Sequence, residues 1–258
     1  DAYSINRQRI EKGRKPAMEV IRSRQNELIK RISALASDGK TRQAAGEFVC
    51  AGEKLLQEAR ASGAEITCVL SAEPVEGLPF RLVTPELMRS VSPLQNSPGP
   101  VFTVRMRQIP PGDALHRVIV LENVQDPGNV GTVLRTADAL GMDLVALCGA
   151  CADPYNPKTV RASMGAVFRQ PAVKTEISEL PRLLGGLPLY GAALSPEARD
   201  IRELPKTDLA VAVGNEGKGL SPELLAMCAG LAVIPMRPAA ESLNAGVAAA
   251  IAMWEMVR

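Results

Sequence analysis

The sequence predicts an α/β fold in which a parallel sheet follows a smaller α/β unit. Three observations lead to this prediction. Segments with helical periodicity separate a series of nearly continuous apolar runs, as in a parallel sheet that helices cover on both faces. These runs are found after residue 116, and a stretch rich in proline and glycine precedes them. The 258 residues are enough for two units with a hydrophobic core.

The N-terminal part, residues 18–107, is expected to be the smaller unit. Its predicted helices span residues 18–36, 52–62 and 85–91. Its predicted strands span residues 65–70, 80–83 and 101–106. Because strands and helices alternate here, the sequence favours parallel pairing of these strands. Residues 1–17 are polar and basic, and we expect a tail or residues foreign to the natural chain, because Met18 is a natural start.

Residues 117–258 are expected to form the larger unit, with residues 108–116 as the linker. The predicted strands span residues 117–121, 143–147, 189–194, 209–213 and 231–235. The predicted helices span residues 129–140, 157–163, 221–228 and 242–256. Gly141 is expected to end the first of these helices, and Ser242 to cap the last one. Ligands of open α/β sheets bind beyond the carboxyl ends of the strands, so the loops that follow strands are the candidates for a site.

The composition argues against several kinds of site. Aromatic residues make up 3% of the chain, too few for a base-stacking platform. His116 is the single histidine, so histidine-based metal sites and Ser-His-Asp triads are not expected. Five cysteines, an odd number without a signal peptide, favour a reduced cytoplasmic protein, and we interpret the C-x-x-C pair of Cys148 and Cys151 as coincidence. No apolar run is long enough to span a membrane.

Three loops that follow predicted strands carry unusual polar residues. The first, QDPGNVGTVLRTADALG at residues 125–141, is a turn that runs into a helix bearing Arg135. The second, GNEGKG at residues 214–219, is too short for a P-loop, but its glycines allow backbone to approach a ligand beside Glu216. The third, ESLN at residues 241–244, places polar side chains at a helix N-terminus, where backbone N–H groups are free.

Together these loops resemble the three motifs of the SpoU (TrmH) family, whose members are S-adenosylmethionine-dependent RNA ribose 2′-O-methyltransferases of the SPOUT superfamily. The matching segments are NVQDPGNVGTVLRTADALG, AVAVGNEGKGLSPEL and VIPMRPAAESLNAGVAAAIAMWE. Residues 153–168 resemble the segment between the first two motifs. Residues 23–31 and 46–59 resemble the substrate-binding module of members that modify large-subunit ribosomal RNA. The family implies a SPOUT-type parallel sheet with a C-terminal trefoil knot, and a homodimer with the last helix in the interface.

The resemblance also implies which residues form the site. S-adenosylmethionine would lie bent in the knot, held mostly by backbone. The implied cofactor contacts are Gly214, Ile234, Leu243, Met236 and Leu194. The implied catalytic residues are Arg135, Glu216, Asn244, Asn129 and Ser242. Arg135 would orient the target phosphate or help to remove the hydroxyl proton, and we favour the orienting role because an arginine stays protonated and is a poor base. Glu216 and Asn129 would position Arg135 and the ribose, and Ser242 and Asn244 would shape the loop around the reacting groups.

The implied reaction is methylation of a ribose 2′-hydroxyl in RNA, with 23S ribosomal RNA as the expected substrate. The alternatives are a transfer RNA substrate, or a catalytically silent RNA-binding protein. A compact α/β module ahead of the catalytic one favours ribosomal RNA, whereas short helical extensions suit transfer RNA. Residues 1–50 carry eleven Lys and Arg against six Asp and Glu, so this region offers either phosphate contacts or a solvated basic face. The candidate phosphate contacts are Arg22, Arg24, Lys30, Arg31, Lys40 and Arg42. No metal and no membrane partner are expected.

Overall fold

The structure, a computed structural model, contains two sheets, one in each of two successive units of the chain. It describes residues 20–93, 99–107, 114–237 and 242–258. The predicted tail, residues 1–17, lies outside the described residues, as do residues 108–113 of the predicted linker. No helix among the described residues is both long and apolar enough to cross a bilayer.

The described residues of the N-terminal unit form five strands and four helices. In chain order these are β1 (Val20–Ile21), α1 (Glu27–Ser37), α2 (Gly39–Ala45), β2 (Glu47–Ala51), α3 (Glu53–Ala61), β3 (Ile66–Ser71), β4 (Phe80–Val83), α4 (Pro85–Val91) and β5 (Val101–Arg105). The strand order in the sheet is β1-β4-β3-β5-β2. β5 runs antiparallel to both β2 and β3, and the remaining pairs are parallel.

The prediction of parallel pairing in this unit was therefore wrong for β5, whereas β3 and β4 pair in parallel as predicted. It overlooked β2, which pairs with β5 along its whole length. β2 was missed because Glu47 opens it with a charge, although every residue of the strand is buried. The predicted helix at residues 18–36 was also wrong at its start. The β-branched pair Val20–Ile21 forms β1, and α1 begins after Asn26, whose side chain accepts a hydrogen bond from the Leu28 amide at 3.0 Å.

The second unit contains seven strands and five helices among the described residues. In chain order these are β6 (Arg117–Glu122), α5 (Pro127–Leu140), β7 (Leu144–Cys148), α6 (Pro157–Ala162), β8 (Ala172–Thr175), α7 (Leu180–Leu184), β9 (Leu189–Ala192), β10 (Arg199–Asp200), β11 (Leu209–Val213), α8 (Pro222–Met227), β12 (Gly230–Val233) and α9 (Ala245–Val257). The strand order is β10-β12-β9-β11-β6-β7-β8, and every pair is parallel. The predicted parallel sheet is confirmed, and the knot stays a prediction.

The sequence did not predict α2, α7, β8 and β10, which are all short. Two helix ends also differ from the prediction. α5 begins at Pro127 because the Asp126 side chain accepts from the Asn129 amide at 2.9 Å, while Gly141, with φ of 66°, ends it as predicted. α9 is capped by Asn244 and not by Ser242. The Asn244 side chain accepts from the next two free amides, at 2.9 and 3.2 Å.

The two units share a hydrophobic core. Phe48 on β2 packs against Tyr155 and Phe168 of the second unit, with ring centroids 4.8 and 6.1 Å apart. These two aromatic residues lie in residues 153–168, the segment that also carries α6. Further buried residues of both units belong to the same cluster. The N-terminal unit is thus docked on the larger one through packed side chains.

A buried ion pair reinforces this contact. The Arg42 guanidinium donates to Asp153 Oδ2 at 2.6 and 2.9 Å and to the Leu35 carbonyl at 2.8 Å. Arg42 is only 3% exposed, so the expectation that it contacts RNA was wrong: its charge is buried and already paired. Of the other candidates, Lys30 pairs with Glu27 and Arg31 with Glu47, while Arg22, Arg24 and Lys40 are exposed.

We expect Arg42→Ala to lower the free energy of unfolding by about 3 kcal/mol, because it leaves the half-buried Asp153 carboxylate without its partner. Denaturant unfolding followed by circular dichroism measures this change. The matched control is Arg89→Ala, which removes an exposed pair with Glu86 at 3.5 Å and is expected to cost less than about 1 kcal/mol. Equal losses in the two variants would contradict the structural role of Arg42.

Candidate active site

A cavity of about 400 Å³ opens where β9, β11 and β12 reach their carboxyl ends. The five residues that the resemblance assigns to the cofactor lie on its wall: Gly214, Leu194, Ile234, Met236 and Leu243. The volume suits a small molecule, and the position is where open parallel sheets bind ligands. The structure therefore gathers this predicted set around one cavity, and their contacts with a cofactor stay a prediction.

The loop after β11 turns back tightly on itself beside the cavity. The Gly219 amide donates to the Asn215 carbonyl at 2.8 Å, and the Asn215 side chain accepts from the amides of Gly217 and Lys218. Gly214 faces the returning chain so closely that a Cβ placed there would lie 2.3 Å from the Gly219 carbonyl carbon. Only glycine fits this position, which keeps the backbone of the loop at the edge of the cavity.

Three predicted catalytic residues, each from a different loop, form one hydrogen-bonded chain. The Asn129 side-chain amide donates to Glu216 Oε1 at 2.5 Å. The Asn244 side-chain amide in turn donates to Asn129 Oδ1 at 3.0 Å. A carboxylate only accepts, so Glu216 fixes which end of the Asn129 amide donates and which end accepts. The Oδ1 of Asn244 is occupied by the first amides of α9, which fixes its orientation too.

Residues next to this network hold the loops in register, and the sequence interpretation missed them. Asn123 has φ of 55°, an unusual conformation for a residue other than glycine. Its carbonyl accepts from the Asn215 side chain at 3.2 Å, and its own side chain accepts from the Ala150 amide at 2.8 Å. Glu122 is fully buried, and its carboxylate accepts from the Ser221 amide at 2.8 Å. One sequence signal could have identified Glu122: it is a charged residue at the end of a predominantly apolar strand.

The other two predicted catalytic residues, Arg135 and Ser242, do not belong to this hydrogen-bonded chain. Arg135 lies on α5 with an exposed side chain, and the described residues include no hydrogen-bond or ion-pair partner for it. The structure does not bring it into contact with Glu216 or Asn129. Ser242 lies on the wall of the cavity, close in sequence to Asn244. Arg135 therefore presents a free cation to solvent, while Ser242 shapes the cavity.

The cysteines are all free, and the C-x-x-C pair is part of the packing. The Cys151 thiol donates to the Leu121 carbonyl at 3.3 Å and accepts from the Val124 amide at 3.3 Å. Burial raises the pKa of Cys148 to about 12 and also raises the pKa of Cys151. Thiols with raised pKa values are poor nucleophiles and poor metal ligands at neutral pH. Among the described residues, no group of three or more His, Cys, Asp or Glu is arranged around a metal site.

Comparisons with known proteins agree with this geometry. The model of the SpoU rRNA Methylase family matches residues 116–254. The 23S rRNA (guanosine(2553)-2′-O)-methyltransferase RlmP of Bacillus subtilis (strain 168) is 31% identical over 249 residues, which cover 93% of this chain and 99% of that protein. The 23S rRNA (uridine(2479)-2′-O)-methyltransferase of Streptomyces viridochromogenes is 30% identical over 273 residues, 95% of this chain and 94% of that protein. The AdoMet-bound rRNA methyltransferase of Sinorhizobium meliloti superposes with a TM-score of 0.80 at 28% identity, over 92% of this chain and 97% of that one.

The fold, the cavity and these likenesses show that the protein is an S-adenosylmethionine-dependent RNA methyltransferase, as the sequence predicted. Within that class, the chain belongs to the SpoU rRNA Methylase family.

Proposed function

We propose that this enzyme methylates a ribose 2′-hydroxyl of 23S ribosomal RNA. The observation that carries the proposal is the hydrogen-bonded chain of Asn244, Asn129 and Glu216 beside the cavity, because it joins the three motif loops at one point. The two relatives named above methylate 23S ribosomal RNA by their names, and both align with this chain over nearly its whole length. Within this proposal, residues 18–107 form the substrate-binding domain and residues 117–258 the catalytic domain.

The cavity fits S-adenosylmethionine by its shape and chemistry. Gly214 lines the cavity and packs so tightly on the returning backbone of Gly219 and Leu220 that no side chain fits there, so the wall at this point is backbone that can lie against the ligand. Leu194, Ile234 and Leu243 offer apolar surface to an adenine ring and a methionine chain, and Leu194 is 64% exposed and free to be covered. When bound, S-adenosylmethionine supplies an electrophilic methyl group on its sulfonium.

The polar chain beside the cavity positions the ribose. Glu216 has a second carboxylate oxygen that accepts no hydrogen bond from the described residues, and in this proposal it accepts one from the 2′-hydroxyl. Asn129 holds the Glu216 carboxylate in place, and Asn244 holds Asn129. Ser242 closes the wall on the same side. Arg135, free and exposed, binds the phosphate next to the target ribose and thereby orients it. Orientation of the hydroxyl supplies much of the rate.

We further propose a homodimer that forms through α9, and a cytoplasmic location. Val247 and Trp254 are seven residues apart on α9, and they are 47% and 55% exposed. Two exposed apolar side chains two helical turns apart form a stripe that a second copy would cover. Ala250, which lies three residues after Val247 and four before Trp254, is small and allows close approach of another helix. The five free cysteines favour a reducing compartment.

The experiment uses total RNA from cells that lack this protein, incubated with the enzyme and tritiated S-adenosylmethionine. We expect label in 23S ribosomal RNA, and the labelled linkage should resist alkaline hydrolysis, because hydrolysis needs a free 2′-hydroxyl. Label in transfer RNA would overturn the substrate and keep the reaction. Cofactor binding without label in any RNA would favour a catalytically silent RNA-binding protein.

A further inference from the structure

A second, larger cavity lies between the two units. It is a cleft of about 1190 Å³ that is open to solvent, and it is lined by α2, the end of β5, the loop after β7 and strand β8. It exists because Phe48 and Arg42 hold the N-terminal unit against the second one at residues 153–168. Since that contact is packed and ion-paired, this interdomain cleft is formed before any ligand arrives.

The charge of the interdomain cleft is mostly positive. Among the described residues, five cations line it against two carboxylates, and one of these carboxylates, Asp153, is neutralised by Arg42. The Arg105 guanidinium is held by Glu47 and Glu65, each at 3.2 Å. The other three cations, Lys40, Arg107 and Lys174, are exposed and pair with no carboxylate among the described residues. They come from both units, Lys40 and Arg107 from the first and Lys174 from the second.

The chemistry of the walls favours a polyanion over a flat or apolar ligand. Tyr155 is the one aromatic residue among the described residues of the cleft, but it is 7% exposed and its ring packs on Phe48, so it offers no free face for a base. The volume exceeds the usual range for small-molecule sites. A chain of phosphates, bound by cations on opposite walls, satisfies both observations.

The cleft also lies on the same edge of the sheet as the catalytic loops. β8 is parallel to β6 and β11, and Lys174 is near its carboxyl end. Three strand spacings separate β11 from β8 in the order β11-β6-β7-β8, which is roughly 14 Å. An RNA strand whose ribose sits beside Glu216 therefore reaches this cleft within a few nucleotides.

We propose that the interdomain cleft binds the sugar–phosphate backbone of the RNA substrate, with Lys40 and Lys174 as its contacts on opposite walls. The inference rests on the proposed function, since it places a second part of the same RNA. It assigns to the docked arrangement of the two units a direct role in substrate binding, and it makes Lys174 of the catalytic unit a substrate contact outside the three motifs.

The test compares a double variant, Lys40→Gln with Lys174→Gln, with the wild-type enzyme. The probe is protein-free 23S ribosomal RNA, bound at several salt concentrations. We expect affinity to fall by roughly tenfold, and the slope of log K against log salt to flatten by about one for each lysine. KM for RNA should rise while kcat and the affinity for S-adenosylmethionine stay unchanged, because neither lysine touches the catalytic network or the first cavity.

The matched control carries the same change of charge elsewhere, Lys54→Gln with Lys206→Gln. Lys54 is an exposed residue of α3. Lys206 precedes β11, at the amino ends of the strands, and pairs with Glu255 at 3.6 Å; that carboxylate keeps Arg258 as a partner at 3.0 Å when Lys206 is replaced. An unchanged salt slope in the cleft variant, or an equal loss in the control, would overturn the proposal. If the wild-type enzyme methylates RNA and the cleft variant equals it, the inference alone fails. If the wild-type enzyme labels no RNA, the proposed function itself fails.

Discussion

Replacing Arg135 by alanine is expected to lower kcat for RNA methylation at least about 100-fold, the usual cost of losing a group that orients or stabilises the reacting centre. The affinity for S-adenosylmethionine and the melting temperature should not change. The reason is that Arg135 is exposed and makes no hydrogen bond or ion pair with the described part of the chain, so its removal leaves the fold intact. Single-turnover methylation with tritiated cofactor measures the rate, and isothermal titration measures the cofactor affinity.

Arg182→Ala is the control for this experiment. Arg182 is an exposed helical arginine with a side chain 88% accessible, and it lies on α7, away from the three motif loops. It should keep full activity. Arg135→Lys keeps the charge but loses the planar, two-pronged contact with a phosphate, so we expect partial activity. Full activity of Arg135→Ala would show that the target phosphate is oriented by another residue.

Replacing Gly214 by alanine is expected to destroy the cofactor cavity. The new Cβ would lie 2.3 Å from the carbonyl carbon and oxygen of Gly219 and 2.6 Å from the Leu220 amide nitrogen. These are backbone atoms, so they cannot rotate away as a flexible side chain would. We expect a loss of about 1 to 3 kcal/mol in the free energy of unfolding, as for other overpacked sites. The affinity for S-adenosylmethionine should fall by at least tenfold, because 10-fold corresponds to only about 1.4 kcal/mol of displaced contact.

The same loop offers a matched control in Gly217→Ala. A Cβ at Gly217 would meet only the Asn215 side chain, at 3.5 Å, an ordinary van der Waals distance. Thermal unfolding and cofactor titration of both variants separate a steric effect at Gly214 from a general need for glycine in this loop. If Gly217→Ala were as damaging as Gly214→Ala, loop flexibility and not close approach would explain the result.

The larger sheet was predictable because most of its strands are nearly continuous apolar runs that can be recognised from the sequence alone. β6 and β11 are apolar runs buried on both faces, and each is followed by a polar loop. The motif residues Asn129, Glu216 and Asn244 could be named from the sequence because the three loops that carry them resemble the motifs of the SpoU family. Their mutual contacts could not, because hydrogen bonds between loops 87 and 115 residues apart depend on strand order.

The smaller sheet shows where pattern reading fails. β2 is five residues long and opens with Glu47, whose carboxylate is paired with Arg31 and Arg105 across the unit. The residues next to Glu47 in the sequence give no sign of these ion pairs. The prediction that Arg42 contacts RNA was wrong for the same reason. A basic residue in a basic region resembles a phosphate contact, and its actual partner, Asp153, lies 111 residues away in the sequence. The prediction that Ser242 caps α9 was wrong for a local reason. Asn244 and Ser242 are both good N-cap residues, and the backbone conformation decides which of them caps the helix.

The shared core between the two units has a consequence for how target choice can be inherited or engineered. Residues 153–168 form the face of the second unit on which the N-terminal unit packs. They contact Phe48 of the N-terminal unit, although they lie far from it in the sequence. A chimaera that exchanges only residues 18–107 between two such enzymes would set foreign aromatic and charged surfaces against Tyr155 and Asp153. Under the proposed role of residues 18–107 in substrate binding, a graft that transfers substrate choice must carry both residues 18–107 and the face formed by residues 153–168.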